Sequence, residues 1–155
     1  MSLQEEWLSP HFSLAELVRS QTAQQHRIDN TPTDSALHNL RRLAEFFEQV
    51  RHALGDVPVL ISSGYRCPRL NQLVGGQPDS AHLQGLAADF KAPAYGTPCE
   101  ICQHLVGSAL PFDQLILERI APAIWVHLAI AAENSRPRRQ VLTITKQGSK
   151  VGLWP

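Results

Sequence analysis

The sequence predicts an α+β domain in which a small antiparallel sheet is covered by helices. Helical patterns fill the first third of the chain and strand patterns cluster in its second half, and that order favours this class. The length of 155 residues falls within the range of one domain with one core. We therefore expect a single domain over residues 1–155, with residues 1–10 and 146–155 as peripheral tails.

The helices are predicted from their start signals and their apolar stripes. Ser13 with Glu16 forms a capping box at the first helix, while the polar residues 20–30 indicate a loop or a frayed helical turn. Residues 31–34 place a proline and an acid at the start of a second helix. This helix has apolar residues at helical spacing and ends at Gly55. Shorter helices are expected over residues 67–74 and 97–105.

The strands are predicted from β-branched runs at residues 57–63, 86–90, 112–118, 124–130 and 141–145. Side chains alternate across a strand, so each of the middle three strands has one apolar face and one face with a reactive group. Those groups are Asp89, Glu118 and His127. If the three strands are neighbours, the three side chains line one surface.

Composition and charge exclude several classes of partner. The chain is 43% apolar and 18% charged, with 14 basic and 14 acidic residues, so it has no net field to attract nucleic acid or an anionic membrane. The basic run at residues 136–139 is best explained as a solvated loop. No apolar run reaches the roughly 18 residues that a membrane span needs. We expect no nucleic-acid partner, no membrane span and a monomer.

Cysteine usage and the N-terminus give two further expectations. Cys99 and Cys102 form a C-x-x-C, but no second such pair is present, and with Cys67 the count is odd. Buried helix cysteines are therefore favoured over a redox pair or a disulfide framework. Residues 1–6 lack the order of a signal peptide, which predicts a cytoplasmic protein. A substrate outside the membrane would then require release by lysis or another export route.

His82, Asp89 and His127 are the candidate ligands of one zinc ion. Imidazole and carboxylate are both good zinc ligands, and a catalytic site uses three protein ligands and leaves a fourth position for water. Gly85 allows a sharp turn between His82 and Asp89. The alternative explanation of the same residues is an ordinary hydrogen-bonded His–Asp pair.

A family resemblance favours the zinc site. The spacing Ser80-x-His82-x-x-Gly85-x-Ala87-x-Asp89 resembles the S-x-H-x-x-G-x-A-x-D signature of the zinc D-alanyl-D-alanine peptidases, the M15 family. Residues 63–66, Asn71 and residues 74–76 resemble the preceding segment in its M15A-like, often phage-associated branch, and residues 125–127 resemble its W-[IV]-H. The resemblance implies Zn²⁺ held by His82, Asp89 and His127, and cleavage of peptidoglycan stem peptides by a D,D-carboxypeptidase or an endopeptidase.

One departure from the family concerns the catalytic acid. Many members place it three residues before the last histidine, and that position is Ile124 here. The segment from Glu118 onward also resembles the zinc-bearing signalling domain of hedgehog proteins, where a glutamate lies on the strand before the last ligand. We therefore assign Glu118 as the general base, against a plain surface glutamate.

The remaining site residues receive roles from their chemistry and from the resemblance. Arg66 is assigned to catalysis and to binding a substrate carboxylate or an oxyanion, with a structural salt bridge as the alternative. Ser80 would orient a ligand or the substrate, and Trp125 would line the cleft. Three hypotheses remain: a zinc peptidase, a zinc-binding interaction module that has lost hydrolysis, and a protein without metal.

Overall fold

The structure, a computed structural model, describes residues 6–155. The chain forms two compact units. The first comprises the described residues up to Glu48 together with Ser63–Ala88, and the second comprises Gln49–Ser62 together with Asp89–Pro155. No helix within residues 6–155 is long and apolar enough to cross a membrane. The expectation of a single domain stays a prediction.

The first unit begins with two short paired strands and continues through helices. Its elements up to the long helix are β1 Trp7–Ser9, β2 Phe12–Ser13, α1 Leu14–Val18 and α2 Gln21–Gln25. The capping box at Ser13 and Glu16 is confirmed, with the Glu16 amide donating to Ser13 Oγ. Helix α2 has five residues and agrees with the helical turn that was one of the two expectations for residues 20–30, and Ser20 Oγ caps it by accepting from the Ala23 amide.

Helix α3, Asp34–Ala53, is the long amphipathic helix that the sequence predicts. Thr33 Oγ1 accepts a hydrogen bond from the Ala36 amide at its start. Gly55 follows its end with a positive φ of 81°, a conformation that glycine adopts without steric cost. The face that carries its apolar stripe is buried, with side chains at Leu40, Leu43, Ala44, Phe46, Phe47 and Val50.

A six-stranded sheet has the order β3-β4-β6-β5-β7-β8. Its strands are β3 Leu60–Ser63, β4 Ala87–Lys91, β5 Gln114–Ile120, β6 Ala123–Ala129, β7 Gln140–Thr145 and β8 Gly148–Val151. Two helices complete the set, α4 Pro68–Leu73 and α5 Pro98–Val106, and α5 contacts β5 and β6. The mixed α and β composition agrees with the predicted class, whereas the specific hedgehog-like arrangement stays a prediction.

The prediction of a purely antiparallel sheet is wrong, because β5 and β7 are parallel. Strand β6 ends opposite the start of β5, where Ala129 pairs with Gln114, and the connection after β6 crosses the sheet at that same end to the other side of β5. There the Arg139 amide donates to the Phe112 carbonyl and the Gln140 amide to the Asp113 carbonyl. Strand β7 therefore starts beside the start of β5 and runs the same way. Strands β1 and β8 lie within residues 1–10 and 146–155, the two segments expected to be peripheral tails.

The basic run at residues 136–139 is exposed, but two of its arginines have fixed partners. The Arg138 guanidinium binds both carboxylate oxygens of Asp113, with Nη2 2.8 Å from Oδ2. The side-chain hydrogen bond from Arg138 holds the pKa of Asp113 below its usual value. The Arg139 guanidinium lies 4.6 Å from the centre of the Phe112 ring. These contacts attach the run to the residues just before β5.

The C-x-x-C lies on α5, and its two thiols are not disulfide-bonded. Cys102 is fully buried, and burial raises the pKa of its thiol to about 12. A thiol with so high a pKa is almost entirely protonated at neutral pH, and the thiolate is the reactive species. The structure therefore favours a packing role for Cys102 over a redox role.

We expect the Cys102 thiol to resist alkylation in the folded protein. At pH 8 iodoacetamide should label Cys102 at least about 100-fold more slowly than the half-buried Cys99, because the reagent needs an accessible thiolate. Site-resolved mass spectrometry after timed labelling measures both rates, and protein unfolded in guanidinium is the control in which the two should match. Equal rates in the folded protein would contradict this interpretation and restore the redox alternative.

Candidate metal centre

His82 lies in a short 3₁₀ turn, Ala81–Gln84, within the first unit. Ser80 caps this turn, with its Oγ accepting from the His82 amide at 3.3 Å. Gly85 ends the turn with a φ of 71°, and a Cβ at Gly85 would lie 2.6 Å from the Ala36 carbonyl oxygen. Glycine is thus required both by conformation and by space. The turn holds His82 with only 2% of its surface exposed.

The hydrogen bond at the His82 ring determines which nitrogen can bind a metal. Nδ1 lies 2.7 Å from the carbonyl oxygen of Gly64. A backbone carbonyl can only accept, so Nδ1 carries the proton and Nε2 carries the lone pair. This is the usual arrangement of a metal-binding histidine, whose second ring nitrogen donates to a carbonyl or a carboxylate.

Asp89 and His127 lie on adjacent strands, β4 and β6. Both are buried, with 8% and 7% of their surfaces exposed. Asp89 Oδ1 lies 3.0 Å from His127 Nδ1. Two ligand atoms of one tetrahedral zinc ion are separated by about 3.3 Å if each bond is about 2.0–2.1 Å, so the observed separation suits two ligands of one ion.

The three predicted ligands come together. One ligand atom from each of His82, Asp89 and His127 lies within 4.8 Å of the others. Two imidazoles and one carboxylate are the donor set that zinc takes in sites that leave a fourth position open. Burial of all three side chains also suits a single shared ion, since a buried carboxylate needs a compensating charge or hydrogen bonds. The residues present therefore fit Zn²⁺.

Glu118 shares the face of the sheet that carries His127. In the β5–β6 register Ile116 lies opposite His127, and Glu118 lies opposite Trp125. Glu118 is thus the diagonal neighbour of His127, a relation that brings Cα atoms within about 7–8 Å. The prediction that neighbouring strands place these groups on one face is confirmed for Glu118 and His127.

Ile124, the position where many relatives carry the acid, lies on the opposite face of β6. The pairing from residues 123 to 129 is regular, so residues 124 and 127 alternate to different sides. Ile124 pairs with Arg119, which also lies on that other face. An acid at residue 124 of this strand would therefore point away from His127.

Comparison with known proteins decides the family. The family described as Peptidase M15 matches residues 10–129, about three quarters of the chain. The chain belongs to the peptidase M15 family. This membership confirms the resemblance of the S-x-H-x-x-G-x-A-x-D motif, and together with the His-Asp-His site it makes Zn²⁺ the implied cofactor of this M15 peptidase.

One curated relative is similar over a shorter stretch. The zinc D-Ala-D-Ala carboxypeptidase of Streptomyces albus G is 39% identical over 56 residues, which is 36% of this chain. The match spans about a fifth of that protein's length, 22%.

Arg66 is held by two neutral acceptors in this M15 peptidase. Its Nε donates to Ser63 Oγ at 3.3 Å and its Nη1 donates to Asn71 Oδ1 at 2.9 Å. Asn71 is only 3% exposed, and its amide donates in turn to the Gln77 carbonyl. The guanidinium is thus oriented by a buried side chain, which suits the substrate-binding role assigned to it.

Sequence reasoning did not give a role to two asparagines that the structure makes prominent. Asn71 entered only as part of a family resemblance, and Asn30 only as the end of a polar segment. The Asn30 side chain bonds Val18, Tyr65 and Cys67, all of them distant in sequence. Nothing in the local sequence pattern marks a loop asparagine as a tertiary contact. The sequence shows only that Asn30 stands just before Thr31-Pro32, where a helix is predicted to begin.

Proposed function

We propose that this M15 peptidase is a zinc-dependent hydrolase of peptide bonds in the stem peptides of bacterial peptidoglycan. The observation that carries the proposal is the group of three buried ligands, His82, Asp89 and His127, with ligand atoms within 4.8 Å of one another. Membership of a peptidase family supports hydrolysis as the reaction at these three ligands. A relative named a zinc D-Ala-D-Ala carboxypeptidase supports the substrate class.

In the proposed mechanism the ligands hold the ion and two further residues act on the substrate. Zinc, when bound, supplies Lewis acidity that acidifies water and polarises the scissile carbonyl. Glu118 removes the proton from the attacking water and delivers it to the leaving amine, which keeps the proton count balanced. Its position diagonal to His127 supports this role. Arg66, held by Asn71 and Ser63, binds a substrate carboxylate.

Within this class we favour a D,D-carboxypeptidase, which releases a terminal D-alanine, over an endopeptidase that cuts cross-links. A carboxypeptidase must recognise a free terminal carboxylate, and an oriented guanidinium suits that group. The printed activity of the Streptomyces relative supports the same choice.

The test is hydrolysis of defined muropeptides. Zinc-loaded protein is incubated with a pentapeptide monomer ending in D-Ala-D-Ala and, separately, with a cross-linked dimer. Liquid chromatography with mass spectrometry measures released D-alanine and cleaved cross-link. We expect D-alanine release that disappears when a chelator removes the metal and returns when zinc is added. Cleavage of the dimer alone would make the protein an endopeptidase, and no product above the chelated control would contradict hydrolysis.

The second candidate function is a zinc-binding interaction module on the same fold. It is considered because Ile124 takes the position where many relatives carry the acid, so that hydrolysis depends on Glu118 alone for its general base. Zinc bound at near one ion per chain, without any muropeptide product, is the outcome that would establish this alternative.

A further inference from the structure

We propose that Asn30 is a positioning residue for the metal centre. It holds the segment of residues 64–67, and this segment in turn holds the His82 ring. The inference rests on the zinc site of the proposed function, but not on hydrolysis. All of the contacts that support it lie within the first unit.

The amide of Asn30 makes three hydrogen bonds to backbone groups. Nδ2 donates to the Val18 carbonyl at 2.8 Å and to the Tyr65 carbonyl at 3.0 Å. Oδ1 accepts from the Cys67 amide at 2.8 Å. A side-chain amide supplies two N–H donors and one oxygen acceptor on one planar group. Neither a carboxylate nor an apolar side chain can make the same three hydrogen bonds.

The 64–67 segment is in turn fixed against residues 17–18. The Tyr65 amide donates to the Leu17 carbonyl at 2.8 Å. Gly64 approaches the same carbonyl so closely that a Cβ at residue 64 would overlap its oxygen. Asn30 connects the same two stretches through Val18 and Tyr65. The segment therefore has little freedom while the Asn30 bonds are made.

The same segment makes two hydrogen bonds to His82. The Gly64 carbonyl accepts from Nδ1 of the ring at 2.7 Å, and the Arg66 amide donates to the His82 carbonyl at 3.1 Å. The first bond sets the tautomer that leaves Nε2 for a metal, and the second locates the backbone of the turn. Displacement of the segment would therefore change both the orientation of the ring and the position of its Cα.

Asn30 is the side chain on which this arrangement depends. The bonds of Leu17, Tyr65 and Arg66 just described use backbone groups, which any residue supplies. The three Asn30 bonds come from one side chain in the connection between α2 and α3. Its loss would leave the Tyr65 carbonyl and the Cys67 amide without these bonds. Loss of a group that directly supports a metal ligand typically lowers metal affinity 10–100-fold, and we expect the lower end for support through a segment.

The experiment measures zinc affinity in the absence of substrate. The zinc dissociation constants of Asn30→Ala, Asn30→Asp and the unmodified protein are determined by competition with a chromogenic chelator. We expect Asn30→Ala to raise the constant about tenfold, and Asn30→Asp at least as much, because its carboxylate would face two carbonyl oxygens. A dissociation constant for Asn30→Ala within twofold of the unmodified protein would overturn the proposal.

Ser20→Ala is the matched control for a purely structural effect. It removes the cap of α2, in the same unit, where Ser20 Oγ accepts from the Ala23 amide. Both variants should lower the unfolding temperature of the metal-stripped protein, but Ser20→Ala should leave the zinc constant within twofold. Equal rises in the zinc constant for both would show general destabilisation and contradict a positioning role.

A measurement on the unmodified protein covers the case in which an Asn30 variant does not fold. Nuclear magnetic resonance should show both side-chain amide protons of Asn30 protected from exchange, and His82 protonated at Nδ1. Rapid exchange of both Asn30 protons would overturn the proposal. If the unmodified protein bound no zinc, the proposed function would fail on its own, while these resonances would still test the hydrogen bonds. A protein that binds zinc but cleaves no muropeptide leaves the affinity test unchanged.

Discussion

Replacing His82 by alanine is expected to abolish both stoichiometric zinc binding and muropeptide hydrolysis. His82 is one of the three buried ligands, and its Nδ1–H donates to the Gly64 carbonyl, which orients the ring. Two remaining ligands hold zinc far more weakly than three. We expect affinity to fall by more than about 100-fold, beyond the effect of losing an outer supporting group. Inductively coupled plasma mass spectrometry of dialysed protein measures the zinc content.

His52→Ala is the matched control, because the His52 side chain on α3 is 84% exposed and interacts with Asp56. It should retain about one zinc per chain and full activity. A His82→Ala protein that is folded by circular dichroism and still carries near-stoichiometric zinc would contradict the assigned ligand set. Loss of zinc in both variants would point to general destabilisation instead.

Replacing Glu118 by glutamine is expected to lower kcat by about 10²–10⁴-fold while leaving the zinc content unchanged. General base catalysis by a positioned side chain contributes about this factor, and glutamine has the size of glutamate without its basicity. Glu118 lies diagonal to His127 in the register and is not one of the three grouped ligands, so zinc binding should persist. Steady-state release of D-alanine from a pentapeptide gives kcat, and metal analysis of the same preparation gives the zinc content.

Glu45→Gln, at an exposed position of α3, makes the same chemical change away from the site and should leave kcat within about twofold. Full activity in Glu118→Gln would remove the assignment of the general base and leave the zinc site standing. Loss of zinc in Glu118→Gln would show that Glu118 supports the metal rather than the proton transfer.

The elements predicted most accurately are those with local chemical signals. The capping box of Ser13 and Glu16 starts α1, and a second one, formed by Thr97 and Glu100, starts α5 where Thr97-Pro98 predicted a helix. The alternation of the strands also held, since Leu115 pairs with Leu128 and Leu117 with Val126 on one buried face. Helix caps and strand alternation depend on residues only a few positions apart, so both can be predicted from one sequence.

The errors concern features that lack such local signals. The parallel pairing of β7 with β5 arises because the connection after β6 crosses the start of β5 instead of pairing β7 with β6, and residues 130–139 do not encode that choice in a pattern. Strand β8 is short and its four residues are exposed, so no apolar alternation marked it.

The sequence by itself determined the donor set of the site and its spacing: a histidine before a glycine turn, an aspartate on the next strand and a histidine on a later strand. These residue types, with the family signature around them, were sufficient to predict a zinc site. Only the tertiary structure decided that β4 and β6 are neighbours, that the β5–β6 register makes Glu118 the diagonal neighbour of His127, and that Asn30 holds the segment beside His82. The physical reason is that ligand chemistry belongs to each residue, whereas register and long-range hydrogen bonds arise only when distant segments pack.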